Sequence, residues 1–101
     1  MIRRKGFRDK KDSVKITFVL PEDNAQAQAG ACVVGDFNDW DPEANPLRKR
    51  SNQTYSTSVT VDKGNRYAYR YRTLSGEWFN VGDADAYETN EFGEENGILI
   101  T

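Results

Sequence analysis

The chain has 101 residues and a net charge of −2, with 37% hydrophobic, 12% aromatic and 30% charged residues. This length fits a single domain with one core, and the aromatic content argues against a disordered chain. The small net charge provides no overall positive field for nucleic acid, and the absence of histidine excludes histidine-based triads and removes the commonest metal ligand.

Residues 1–12 are predicted to form a flexible basic arm ahead of a single folded domain over residues 13–101. The arm carries six cations: Arg3, Arg4, Lys5, Arg8, Lys10 and Lys11. Such a run is usually a solvated segment, and a phosphate-binding arm is the alternative. The arm lacks the apolar stretch of a signal peptide, and no segment reaches membrane-spanning length. The sequence therefore predicts a cytoplasmic protein without membrane contact.

Alternating hydrophobicity predicts a first strand over Ser13–Leu20, which Pro21 closes. A polar loop over residues 22–30 follows, and its alanines and glutamines could support one helical turn. The second strand is predicted over residues 31–34. It contains Cys32, the only cysteine, which has no intrachain disulfide partner and is expected to be buried.

An irregular loop over residues 36–46 follows the second strand and carries Trp40 among acids, amides and prolines. Residues of these types favour turns over strand pairing. An indole in such surroundings has little core to fill, and we expect a ligand or partner to use it.

Five further strands, separated by turns, are predicted over residues 47–50, 54–61, 66–73, 77–80 and 97–100. The long acidic stretch over residues 81–96 is predicted to be a loop. About seven short strands without a long helical pattern predict an all-β fold, and more specifically an antiparallel β-sandwich.

The hairpin loop at Leu74–Gly76 decides which side chains share a face with Trp78. A two-residue turn would pair Thr73 with Trp78, whereas a three-residue loop with a left-handed Gly76 would pair Arg72 with it. We predict the three-residue loop, because glycine suits its last position. This register places the tyrosines of the preceding strand and Phe79 in the core. Four side chains then point outward: Arg70, Arg72, Trp78 and Asn80.

The sequence predicts neither a catalytic site nor a metal or other cofactor. Its acids concentrate in one turn-rich stretch, without a partner base, a nucleophile or a calcium-loop pattern. Exposed indoles beside arginine and asparagine suit a sugar ring instead, since the C–H face stacks on the ring while the hydroxyls form hydrogen bonds. Single-stranded nucleic acid could use the same rings, but it would require a basic groove.

The strength of such binding follows from the area that the two indoles can bury. If each loses about 100 Å² of apolar exposure, each contributes about 2.5 kcal/mol. Association costs offset most of this gain, so we expect dissociation constants between micromolar and millimolar.

Four segments together resemble carbohydrate-binding module family 48: Val33–Pro42, Tyr69–Tyr71, Gly76–Asn80 and Asn90–Asn96. This family includes the glycogen-binding domain of AMP-activated protein kinase β subunits and the N-terminal early-set domains of isoamylases and branching enzymes. The similarity runs from Val14 to Ile100. It implies an immunoglobulin-like (early-set) sandwich that binds α-1,4-glucans such as glycogen, starch or maltooligosaccharides on one open face.

The resemblance implies two stacking indoles, two hydroxyl contacts and two residues of a loop over the ligand: Trp40, Trp78, Arg70, Asn96, Phe92 and Glu94. The hairpin departs from the kinase-subunit pattern by one extra residue between Arg70 and Trp78. The role of Arg70 therefore depends on the three-residue loop. Arg72 stands where the family commonly has an apolar residue.

Two functions remain open at this point. The first is a non-catalytic glucan-binding module, and a glucan-active enzyme is then a candidate partner. The second is an early-set interaction domain that docks on a glycoside hydrolase family 13 type enzyme or a regulatory subunit, with little or no sugar binding. The basic arm would be its natural contact. Neither function predicts a nucleic acid or membrane partner.

Overall fold

The computed structural model describes residues 1–101 and arranges them as two packed antiparallel β-sheets. Nine strands and one short helix follow along the chain: β1 Ile2–Gly6, β2 Ser13–Leu20, α1 Ala25–Ala29, β3 Ala31–Gly35, β4 Arg48–Lys49, β5 Tyr55–Asp62, β6 Arg66–Thr73, β7 Trp78–Phe79, β8 Ala86–Thr89 and β9 Glu95–Ile100. A 3-10 turn at Asp36–Asn38 lies between β3 and β4. The predicted all-β sandwich is confirmed, with nine strands in place of about seven. None of its helical segments has the length and apolar character needed to cross a membrane.

The core lies between a four-stranded sheet of order β1-β2-β5-β4 and a five-stranded sheet of order β3-β6-β9-β8, in which β7 also pairs with β6. Alternate residues of β2, from Val14 to Leu20, point into the core, as their spacing predicts. The ring of Phe18 lies 5.1 Å from that of Tyr69 and 6.3 Å from that of Tyr71, measured between centroids. The two tyrosines of β6 therefore face the core, and Arg70 between them faces outward.

The flexible arm predicted over residues 1–12 is wrong for Ile2–Gly6, which pairs along its whole length with β2. Sequence patterning does not reveal this strand, because only Ile2 packs against the core and the remaining residues are exposed. Charged side chains are common on edge strands, where they discourage pairing with other chains. The sheet therefore begins ahead of the predicted boundary at residue 13.

Strand β8 is a second departure, since it lies inside the acidic stretch that the sequence predicts to be a loop. It pairs only with β9, and three of its four residues are exposed. An edge strand of this kind lacks the apolar alternation that would reveal it.

Asp83, in the same acidic stretch, is a buried carboxylate that joins the two tyrosines of β6. Its side chain is only 8% exposed and accepts hydrogen bonds of 2.6 Å from the hydroxyls of both Tyr69 and Tyr71. Burial, together with the neighbouring Asp83, raises the pKa of each tyrosine, so both phenols stay protonated and donate. Asp83 thus anchors the chain between β7 and β8 to the core.

We expect Asp83→Ala to lower the free energy of unfolding by about 3 kcal/mol, because two buried hydroxyls lose a charged acceptor. Urea denaturation measures this change. Glu88→Ala is the matched control, since its ion pair with Arg66 is more than half exposed on both sides and should be worth less than about 1 kcal/mol. Equal losses in the two variants would contradict the anchoring role of Asp83.

Candidate functional site

The loop that carries Trp40 begins where β3 passes very close to β6. A Cβ atom at Gly35 would lie 2.5 Å from the carbonyl oxygen of Ala68, so only glycine fits there. Asn38 then closes the turn, because its Oδ1 accepts from the backbone N–H of Gly35 at 3.0 Å and its Nδ2 donates to the carbonyl of Val33 at 3.0 Å. These short-range bonds fold the Gly-Asp-Phe-Asn segment into a compact turn.

Trp40 is held in a backbone conformation that bulky residues rarely adopt. Both Asp39 and Trp40 have φ of 56°, in the left-handed region. The indole Nε1 donates to Oδ1 of Asp36 at 3.1 Å, and Oδ2 of Asp36 accepts from the N–H of Ala68 at 2.8 Å. Asp36 therefore ties the indole to β6. Strained residues of this kind concentrate at functional sites.

Trp78 reaches the same region because the hairpin has the predicted three-residue loop. Arg72 pairs with Trp78, and Gly76 has φ of 97°. The guanidinium carbons of Arg70 and Arg72 lie 5.5 and 5.6 Å from the centroid of the Trp78 ring, within cation–π range. Trp78 is 43% exposed, so ring surface remains open to a ligand.

The two indoles meet at an angle instead of forming a flat surface. The ring centroids of Trp40 and Trp78 are 6.4 Å apart, and the ring planes are inclined by 57°. The stacking surface that the two rings form is therefore bent between them.

Arg70 points to the predicted face, but it is only 7% exposed. Its Nη1 donates to Oε2 of Glu94 at 2.6 Å, and its Nε lies 3.5 Å from Oδ1 of Asn80. Trp78 and Glu94 therefore cover most of the guanidinium. The pairing also balances its positive charge.

Asn90 organises the loop that carries Phe92 and Glu94. Its Oδ1 accepts from the N–H groups of Phe92 at 2.9 Å and Glu94 at 3.1 Å. Its Nδ2 donates to Oδ1 of Asn96 at 3.2 Å, so the amide nitrogen of Asn96 remains available as a donor. Phe92 is 80% exposed at the rim.

All six residues that the sequence assigns to a ligand surround one open pocket of about 630 Å³. They are Trp40, Arg70, Trp78, Phe92, Glu94 and Asn96, and two further residues complete the lining, Asn90 and Glu91. Sequence reasoning missed Asn90. The only signal for it was the Asn-x-x-Gly spacing of a tight turn, which is common to many loops.

The pocket combines flat apolar rings with amide and guanidinium donors. Its lining contains no serine, threonine, cysteine or lysine that could act as a nucleophile. No group of three or more acidic or cysteine side chains is arranged so that it could hold a metal ion. The arrangement suits reversible binding of a ligand that has both apolar faces and polar edges.

A β-sandwich that opens an aromatic pocket on the outer face of one sheet is typical of carbohydrate-binding modules. A family model described as "Carbohydrate-binding module 48 (Isoamylase N-terminal domain)" matches residues 9–87. The chain belongs to this family, and the resemblance noted in its sequence is confirmed. The module that defines the family is a non-catalytic one.

Similar proteins are large glucan-processing enzymes. The chain is 31% identical over 84 residues to an amylopullulanase of Thermoanaerobacter thermohydrosulfuricus, covering 81% of this chain and 5% of that protein. It is 38% identical over 61 residues to an amylopullulanase of Thermoanaerobacterium thermosulfurigenes, covering 60% and 3%. The 1,4-alpha-glucan branching enzyme GlgB of Prochlorococcus marinus (strain MIT 9301) is 29% identical over 70 residues, covering 68% and 9%. The chain thus spans less than a tenth of these relatives.

The family match contains Trp40, Arg70 and Trp78 but ends before the loop that carries Phe92 and Asn96. The assignment of Phe92 and Asn96 to the pocket therefore depends on the structure of this loop alone. Because Asn90 holds the loop, its hydrogen bonds are the contacts to test first.

We expect Asn90→Ala to release this loop and to speed amide hydrogen exchange at Phe92 and Glu94 about five- to tenfold, since each amide loses a bond worth about 1 kcal/mol. Asn90→Asp is the matched control, because it keeps the Oδ1 acceptor and should preserve protection at both amides. Unchanged exchange in the alanine variant would show that Asn90 does not order the loop.

Proposed function

We propose that the pocket binds α-1,4-linked glucans such as glycogen, starch or maltooligosaccharides by stacking sugar rings on Trp40 and Trp78. The observation that carries this proposal is the convergence of two indoles, inclined by 57°, on one pocket whose lining also holds polar donors. A pocket of about 630 Å³ lies in the usual range for a small ligand.

The inclination of the rings supports an α-linked chain over a β-linked one. In an α-1,4-glucan the linkage leaves one ring axially and enters the next equatorially, so successive rings turn and the chain curves. A β-1,4-glucan is extended and presents nearly flat faces. Two platforms that meet at 57° match the curved chain better.

The polar groups of the pocket suit the hydroxyl edges of a neutral sugar. The amide nitrogen of Asn96 is a free donor, because its oxygen is occupied by Asn90. Arg70 is neutralised by Glu94, and Glu91 adds a negative charge to the rim. An anionic ligand would therefore gain little in this pocket, which disfavours nucleic acid.

The relatives give this binding a context. Because they are named as amylopullulanases and a glucan branching enzyme, we propose that the module holds an α-glucan for a glucan-active enzyme, with a dissociation constant between micromolar and millimolar. The cytoplasmic location expected from the sequence stays a prediction. The alternative, a docking domain with little sugar binding, would leave an assembled aromatic pocket idle.

Isothermal titration calorimetry with maltoheptaose tests the proposal. Trp40→Ala and Trp78→Ala should each weaken binding about 70-fold, which corresponds to about 2.5 kcal/mol of lost stacking. Leu74→Ala is the control, since it removes an exposed apolar side chain outside the pocket and should leave affinity unchanged.

A β-1,4-linked cello-oligosaccharide provides the second comparison and should bind at least about tenfold more weakly than maltoheptaose. Binding that survives both tryptophan substitutions would place the site elsewhere. Absence of any maltoheptaose binding would favour the docking domain.

A further inference from the structure

The outer face of the four-stranded sheet carries a cluster of cations, which we call the basic face: Arg3, Lys5, Lys15, Arg48 and Arg50. The strand register places them together, because residues directly opposite each other in antiparallel strands share a face. Lys5 lies opposite Lys15, and Arg3 lies opposite Thr17. Arg48 lies opposite Ser56.

Two side-chain bonds confirm which way these residues point. The hydroxyls of Thr17 and Ser58 lie 2.8 Å apart across β2 and β5. Nε of Arg50 donates to the hydroxyl of Ser56 at 2.7 Å, which brings this arginine onto the same face. The face is therefore a regular array of cations and hydroxyl groups.

The positive charge of the basic face is not balanced within the chain. All five cations are exposed, and none takes part in the four ion pairs of the structure. One carboxylate, that of Asp62, also lies on this face, opposite Ser13 at one end. By contrast Arg4, on the other side of β1, pairs with Asp85 at 2.6 Å. A chain with a net charge of −2 thus gathers five cations that form no ion pair on one face.

Lys5 and Lys15 face each other directly, and like charges opposite each other destabilise a sheet. Asp62, diagonally across from Lys15, relieves part of their repulsion. A negatively charged partner would relieve the rest, and part of its binding energy would come from that relief.

We propose that the basic face docks on an acidic surface of another protein or domain. The face is flat and mostly polar, since Val19 is only 7% exposed and Met1, bonded to Val19 at the edge, is its exposed apolar side chain. One methionine gives too little apolar surface to anchor the face in a membrane. None of the residues paired across β1, β2 and β5 on this face is aromatic, so the strands offer bases of a nucleic acid no ring on which to stack. Carboxylates on a flat protein surface fit its cations and hydroxyls best.

The size of the face predicts a weak and salt-sensitive contact. The two eight-residue strands, β2 and β5, span about 26 Å, and four strands span about 15 to 19 Å, so the face covers at most about 400–500 Å². A stable interface buries about 800 Å² on each partner. Docking should therefore depend on charge and weaken as salt screens it.

Docking would leave the pocket free. The pocket opens on the outer face of the five-stranded sheet, on the opposite side of the sandwich. A glucan and an acidic partner could be bound together, each without affecting the other.

The test uses a short peptide of alternating aspartate and glutamate as the probe, followed by amide NMR shifts on the full chain at low salt. The double variant R3E/K15E should weaken binding at least about tenfold. The matched control K10E/K11E changes net charge equally but lies in the loop between β1 and β2, so its affinity should change less than about twofold. Shifts should map to Thr17, Ser58 and Thr60.

In the R3E/K15E variant the new carboxylate at position 15 replaces a repulsion with Lys5 by an attraction but is diagonal to Asp62, so folding is checked on the same sample. Maltoheptaose affinity, measured on the same sample, reports an intact pocket and is independent of the docking result. Equal losses in both double variants would reduce the effect to overall charge and overturn the proposal. Tighter binding of duplex DNA or of phosphatidylserine vesicles than of the peptide would overturn it as well.

Discussion

The register of the hairpin between β6 and β7 is the constraint on which the rest of the site depends. Gly76, with φ of 97°, allows a three-residue loop that pairs Arg72 with Trp78. A slip of one residue would turn Trp78 into the core and move Phe79 to the surface. Because Tyr71 and Phe79 stack in the core at 5.4 Å between centroids, such a slip would also break the packing that holds β7 in place. One loop length therefore decides both the core and the pocket.

The core holds Trp78 in place through β7, whereas polar contacts hold the two loops that carry Trp40 and Phe92. Asp36 connects the indole of Trp40 to the backbone of β6, and Asn90 shapes the loop that covers Arg70. These bonds lie at exposed positions, so each contributes only about 1 kcal/mol, and their main effect is to fix the geometry of the two loops. The ion pair between Glu94 and Arg70 leaves the pocket without excess positive charge. Stacking and hydroxyl contacts therefore dominate the binding of a ligand.

Local patterns predict the parts of this molecule that obey a simple period or a turn rule. The alternation of β2, the tryptophan in a polar turn and the glycine of the hairpin are of this kind, and they suffice for the fold class and for the face of Trp78. The assignment of the six pocket residues comes from the resemblance to the family. The edge strands β1 and β8 escape such reasoning, because most of their side chains are exposed. The burial of Asp83 and the covering of Arg70 also escape it, since both depend on partners ten or more residues away. The basic face also escapes prediction from the sequence, because Arg3 and Lys5 join it only when β1 is known to be a strand.

The central claim is that a glucan occupies the pocket formed by the two indoles. The most direct measurement is the set of side-chain NMR signals during a maltoheptaose titration. The indole N–H signals of Trp40 and Trp78 and the amide signals of Asn96 should shift together with one dissociation constant. The backbone signals of Arg3, Lys15 and Ser58, on the opposite sheet, should stay in place. Shifts that cluster away from the pocket, or two indoles that respond with different dissociation constants, would contradict the account.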